Sequence, residues 1–324
     1  MVYLQALLGL TILIFAGDFL VRGAVSLAKK WNVSTLVISL TIIAFGTSAP
    51  ELVVGIKAVL SDAGALALGN VVGSNIANIL LVIGLPALIA PISFAAPRLT
   101  RNLMIMLGAS AIFIGMASSG KFDWEQGMVL VFLLISFITY SALRSKAHPE
   151  EQDLLAKELD DLEKPPHSLA LSFVMVIGGL IGLTFGADQL VKGSIIIARD
   201  IGVSEEIIGL TLVAVGTSLP ELVTSLVAAI RKHNDIAVGN VIGSNIFNLL
   251  GIIGVSSLFG DIPVSQNILR VDVWVMIAAS IALLPFCQYK ASVGRFFGIV
   301  LLLAYAGYLL HLVQSSGLAT GTGV

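Results

Sequence analysis

Two glutamates stand where carboxylates are rare. Glu51 lies in TIIAFGTSAPELVV (41–54) and Glu221 in TLVAVGTSLPELVT (211–224), each inside an otherwise apolar run. A charged side chain at the centre of a bilayer costs about 2.5–3.5 kcal/mol on insertion scales, which makes an intramembrane carboxylate a functional-site candidate. Two neighbouring anions repel each other unless a cation neutralises them, and one divalent cation cancels both. Thr47 and Ser48 add hydroxyls beside the first glutamate, and Thr217 and Ser218 beside the second. Carboxylate, hydroxyl and carbonyl oxygens are hard ligands, suited to calcium or sodium and poor for zinc or copper. Pro50 and Pro220 remove a backbone donor and clash with the preceding turn, with Gly46 and Gly216 just upstream. A break in each helix is therefore expected near Gly-Thr-Ser, where freed carbonyls can line a cavity.

A second pair of segments follows. GNVVGSNIANIL (69–80) and GNVIGSNIFNLL (239–250) carry Gly69-x-x-x-Gly73 and Gly239-x-x-x-Gly243, a spacing for close helix packing. Helical geometry puts Asn70, Ser74 and Asn78 on one stripe, and Asn240, Ser244 and Asn248 on its twin. Amide and hydroxyl oxygens facing the glutamates would complete an all-oxygen cage. Asn75 and Asn245 fall off the stripe and read as packing residues.

The elements that hold these residues are membrane helices. The 324-residue chain is 57% hydrophobic and 12% charged, with a mean hydropathy of +0.99. Soluble domains carry about 25% charged residues, so the natural solvent here is lipid. Ten segments are long and apolar enough to span: 3–27, 34–60, 66–90, 102–119, 126–144, 168–196, 204–230, 236–258, 271–288 and 293–313. The first lacks a basic start and an A-x-A cleavage site and reads as a spanning helix. Residues 144–167, ending in Pro165-Pro166, form the one long polar stretch and read as a solvated linker between 1–143 and 168–324.

Both motif pairs repeat at an offset of 170 residues, which extends back to Asp18/Asp188 and Arg22/Lys192. Duplication of a five-helix unit follows, with repeated motifs at 41–81 and 211–251. Five crossings reverse the chain's side, so the halves are expected to be inverted, with a site near the midplane between them. Loops after the odd-numbered spans hold Lys29, Lys30, Arg98, Arg101, Arg144, Lys146, Lys157, Lys164, Arg231, Lys232, Lys290 and Arg295; the other face holds Lys121, Arg199 and Arg270. The positive-inside rule makes the first face cytoplasmic, places both termini outside, and fits a multi-pass protein of the plasma (inner) membrane.

Paired GTSxPE segments, each followed by GNxxGSNIxN, resemble the alpha repeats of the calcium/cation antiporter superfamily, above all its sodium/calcium exchanger branch, prokaryotic members included. The resemblance covers most of the chain. It implies an all-α membrane protein of ten helices in two inverted five-helix repeats, with broken helices 2, 3, 7 and 8 around a central ion site. It implies that Glu51 and Glu221, with oxygens of Thr47 and Thr217, hold calcium. Ser48, Ser74, Ser218 and Ser244, with the Ala44 and Ala214 carbonyls, would help hold sodium, and Asn78 and Asn248 would sit beside the glutamates. Some relatives carry aspartate where Asn248 stands, an aspartate associated with potassium use, so potassium dependence is disfavoured. The proton-coupled branch reads GNAAEH in place of GTSAPE, which disfavours proton coupling. The expected partners are calcium and sodium ions and the lipid bilayer, with no further cofactor. Transport would move helices 1 and 6 across the remaining eight.

Other classes fare worse. A net charge of −2 gives no footprint for nucleic acid. With Cys287 as the only cysteine, an intrachain disulfide is impossible. His148, His167, His233 and His311 are scattered, and H-E-x-x-H and G-x-S-x-G are absent, which argues against a membrane-embedded enzyme. A channel needs a continuous selectivity pore rather than a twofold cage. The i,i+4 pairs Asp18/Arg22 and Asp188/Lys192 read as simple ion pairs, and Lys57 as a snorkelling residue.

Overall fold

The computed structural model describes residues 2–31, 33–96, 99–147, 168–200 and 214–315. Of the expected linker 144–167, residues 144–147 are the helical end of the fifth span, and 148–167 with its histidines and lysines lies outside the described residues, as do Arg98 and the start of the seventh expected span (204–213). Twelve helical segments run in order: α1 Val2–Trp31, α2 Thr35–Thr47, α3 Ala49–Leu60, α4 Gly64–Ile89, α5 Leu99–Ala117, α6 Trp124–Ala147, α7 Leu169–Asp200, α8 Ala214–Thr217, α9 Leu219–Ile230, α10 Asn234–Ser256, α11 Ile268–Gln288 and α12 Arg295–Ser315. Among the described residues, eight helices are long and apolar enough to cross a membrane, and α2 with α3 makes a ninth, bent by 44°.

In lipid, helices associate through close packing rather than through water exclusion, so small residues decide where they touch. The long helices α1 and α7 meet along such a seam. A Cβ added at Gly9 would lie 2.8 Å from Gly186 O, and one at Gly186 would lie 3.0 Å from Gly9 O. Gly179 meets Leu20, Gly23 meets Val176, and Gly193 meets Ala6 in the same way. The core of the molecule is α10, whose membrane-length stretch is wholly buried. Its Gly239 packs on Leu36 and Ser39 of α2, and its Gly243 sits so near α2 that a Cβ there would be 2.7 Å from Leu40 O. The expected Gly-x-x-x-Gly contact is therefore made in the second motif. At Gly69 and Gly73 of the first motif an added Cβ meets nothing within 4 Å among the described residues.

Two short antiparallel ribbons depart from the all-α expectation. Ile92–Ser93 (β1) pairs with Ser292–Val293 (β4), and Lys121–Phe122 (β2) with Ile262–Pro263 (β3). Shifting by 170 residues takes β1 to β3 and β2 to within one residue of β4, so the two ribbons exchange when the halves exchange. Three of the four expected helix breaks are present: between α2 and α3, within α4 at Leu81–Ile83, and between α8 and α9. The fourth is not. The eighth span, α10, is continuous, and a π-helical stretch at Phe247–Ile252 widens it instead of breaking it. No proline stands in that stretch, so nothing removes a backbone donor. One unforeseen interruption falls at Leu283 of α11, two residues before Pro285.

Candidate functional site

The two glutamates owe their positions to two equivalent interruptions. Ser48 has φ −88° and ψ 5°, and Ser218 has φ −87° and ψ 4°, a sparsely populated backbone region that recurs in active sites. Each serine is followed by a helix whose proline stands at its start, where the missing N–H removes no helical hydrogen bond. Glu51 and Glu221 thereby fall in the first turns of α3 and α9, at the helix ends whose dipoles favour negative charge. A π-helical turn, Ser39–Ile43, also precedes the first break; such turns cluster at functional sites.

Both carboxylates are 1% exposed. Ser48 Oγ donates to Glu221 Oε1 at 2.9 Å, so the first motif bonds the glutamate of the second. Thr47 Oγ1 reaches Asn240 Oδ1 at 3.3 Å, and Asn240 Nδ2 reaches Glu221 O and Ser225 Oγ at 3.4 and 3.3 Å. A second oxygen of each glutamate, Oε2, is buried with no hydrogen-bond partner. The same holds for Asn78 Oδ1, Asn248 Oδ1, Ser218 Oγ and Ser244 Oγ. Buried polar atoms are almost always partnered, so six unpartnered oxygens on the repeated motifs stand out. Ser74 is buried on the same stripe as Asn78.

Three expected residues sit differently. The Ala44 carbonyl is not freed by the break, because it accepts from Ser48 N at 3.1 Å and Thr47 Oγ1 at 3.4 Å. Ala214 begins α8, and there the Ser218 amide bonds Val215 O at 3.1 Å instead. Thr217 lines a cavity of ≈ 250 Å³ with Pro50, Gly216, Pro220, Thr184 and Asp188, reaching along α7 to both breaks. Asn75 and Asn245, assigned to packing from the helical wheel, bond between α4 and α10 and also hold Asn248 and Asn78. The helical wheel hid this, since each partner lies roughly 170 residues away in the chain. Among the described residues no cluster of three or more His, Cys, Asp or Glu could hold a metal. Cys287 is a buried free thiol.

A bundle of membrane-length helices closed over buried, unpartnered oxygens is the architecture of an ion-translocating membrane protein. The family model described as sodium/calcium exchanger protein matches residues 1–143 and 171–314, and the chain belongs to that family. It is 35% identical over 343 residues to the sodium/calcium exchanger MaX1 of Methanosarcina acetivorans, covering 96% of this chain and 98% of that protein. It is 32% identical to the inner membrane protein YrbG of Escherichia coli, covering 91% of each. The solved structure of the sodium-calcium exchanger NCX_Mj soaked with Na+ and Sr2+ superposes with a TM-score of 0.81 at 36% identity, over 95% of this chain and 97% of that one.

Proposed function

We propose that this protein is a secondary antiporter that exchanges sodium for calcium across the membrane, with Glu51 and Glu221 as the paired anionic ligands of one central site. The observation that carries this reading is the set of buried, unpartnered oxygens on Glu51, Glu221, Asn78, Asn248, Ser218 and Ser244. The site's two carboxylates sum to −2, which one Ca2+ neutralises. Oxygens of Thr47 and Thr217 join the glutamates around calcium, and sodium ions compete for the same region, with Ser48, Ser74, Ser218, Ser244 and the Ala44 and Ala214 carbonyls as flanking ligands. The reciprocal use of the same oxygens makes exchange possible.

We read the fold as ten spans in two inverted halves, 1–143 and 168–324, joined by a cytoplasmic linker, with both termini outside. The constant offset of the motifs, the matched backbone angles at Ser48 and Ser218, and the exchanged ribbons support that reading. Alternating access is then a displacement of the α1–α7 pair across the remaining helices.

Purified protein in lipid vesicles loaded with sodium tests the function. Calcium uptake that follows the outward sodium gradient is the expected result. Uptake that ignores sodium and follows a pH or potassium gradient would overturn it, as would ion flow that needs no counter-ion.

A further inference from the structure

Asn78 and Asn248 face a problem that glutamate does not. An amide has one end that binds cations and one that repels them, and the two ends have nearly the same shape. For either residue to help hold a cation, something must decide which end points inward. The four asparagines between α4 and α10 make that decision.

The chain of constraint begins at the main chain. Asn245 Nδ2 lies 3.3 Å from the backbone carbonyl of Asn75, and Asn75 Nδ2 lies 3.4 Å from the backbone carbonyl of Asn245. A carbonyl can only accept, so both amide nitrogens must face the main chain and both Oδ1 atoms must face away. Asn75 Nδ2 also lies 3.6 Å from Met276 Sδ, a weak acceptor that favours the same orientation. Those two Oδ1 atoms can in turn only accept. Asn78 Nδ2 donates to Asn245 Oδ1 at 3.0 Å, and Asn248 Nδ2 donates to Asn75 Oδ1 at 3.1 Å. With their nitrogens thus committed, Asn78 and Asn248 keep their own Oδ1 atoms buried and without a partner. All four side chains are 1% exposed, so bulk solvent does not compete for these bonds.

We infer that Asn75 and Asn245 are positioning residues: each fixes, from the opposite half of the protein, which end of Asn248 or Asn78 is offered to the transported cation. The inference rests on the exchange reading above for the identity of the cation. It also assigns the asparagine at 248 a requirement that an aspartate would not have. A carboxylate presents oxygen at both ends and has no wrong orientation.

That difference supplies the test. Asn75→Leu, Asn248→Asp and the double variant are measured for half-saturating calcium and maximal rate of sodium-driven uptake in vesicles, and for calorimetric calcium binding to the purified protein. Asn75→Leu is expected to raise the half-saturating calcium about tenfold or more, the scale seen when a group that orients a metal ligand is lost, with a smaller change in maximal rate. In the Asn248→Asp background the same substitution is expected to cause no loss, because orientation no longer matters there and Asn75 Oδ1 would only face another acceptor. An equal loss in both backgrounds would show that Asn75 merely supports the packing and would overturn the inference. Asn245→Leu with Asn78→Asp is the twin cycle, used if either Asn75 variant fails to run as a single species on gel filtration. If wild-type protein binds calcium but does not exchange it for sodium, the exchange reading fails while the binding cycle still decides the orientation.

Discussion

The two GTSxPE motifs are nearly identical in sequence and unequal in their surroundings. The first is closed: Ser48 bonds Glu221, and Thr47 bonds an Asn240 that Ser225 and Glu221 O also hold. In the second, the equivalent Ser218 Oγ has no partner, and neither does Asn70 Nδ2, the counterpart of Asn240. Part of the difference is written in the chain, since Gly55 stands where the other half has Ser225 and can offer Asn70 nothing. The rest is not, because Ser48 and Ser218 have nearly the same backbone conformation and share the preceding Gly-Thr and the Pro-Glu two residues on, differing next to the serine only in Ala49 against Leu219. One motif can thus exist with its hydroxyl tied and with its hydroxyl free, which is what a site that alternates between two states requires.

The comparison predicts where the halves behave alike and where they differ. The largest effect is the shared one. Glu51→Gln and Glu221→Gln should each reduce sodium-driven calcium uptake about 100-fold or more, the scale of removing one charged member from a buried set. A large loss in one and a mild loss in the other would mean the carboxylates do not form a single site. Next comes the unequal use of Gly-x-x-x-Gly. Gly243→Ala forces a Cβ to 2.7 Å from Leu40 O and should destabilise by about 1–3 kcal/mol, read as a lower Tm in detergent. Gly73→Ala meets nothing within 4 Å among the described residues and should shift Tm far less.

A smaller effect is expected at the ion pairs. Asp18 of α1 pairs with Arg231 at the end of α9 as well as with Arg22, whereas Asp188 pairs with Lys192 on its own helix. Asp18→Asn should therefore change the transport rate up to about fivefold, corresponding to a pair worth about 1 kcal/mol. Asp188→Asn, at an exposed intrahelical pair, should leave the rate within a factor of two. The smallest concerns the ribbons. Lys121 of β2 bonds Asp261 at 2.7 Å, which holds the lysine above its ordinary pKa. A raised lysine stabilises the fold below its unfolded value and loses that contribution as pH climbs through the folded one. Lys121→Ala should thus lower Tm only slightly at neutral pH, and the difference from wild type should vanish as pH climbs past the lysine's raised pKa.

Much of the site was legible because its signals are local. Proline after Gly-Thr-Ser announced the breaks, and apolar length announced the helices: 34–60 against Thr35–Leu60, and 271–288 against Ile268–Gln288. What escaped was non-local or not helical in the ordinary sense. A 3.6-residue wheel put Asn75 and Asn245 off the stripe, but their partners lie across the molecule in the other repeat. The π-helical stretch at 247–252 shifts the register on which such a wheel depends, and it replaced a break expected in the eighth span. The occupied Ala44 carbonyl was hidden because a proline tells where a helix ends, not which of its last acceptors find donors.

The glycine seam between α1 and α7 has a consequence for leakage. Gly9 and Gly186 bring the two backbones within touching distance at one level, and Gly23, Gly179 and Gly193 do so at others. In the alternating access proposed above, helices locked at several levels would translate as a single shutter. A shutter made of one piece cannot uncover both faces of the membrane at once, because the stroke that clears one opening carries the same piece over the other. The exchanger needs no separate timing device to keep its two doors from standing open together.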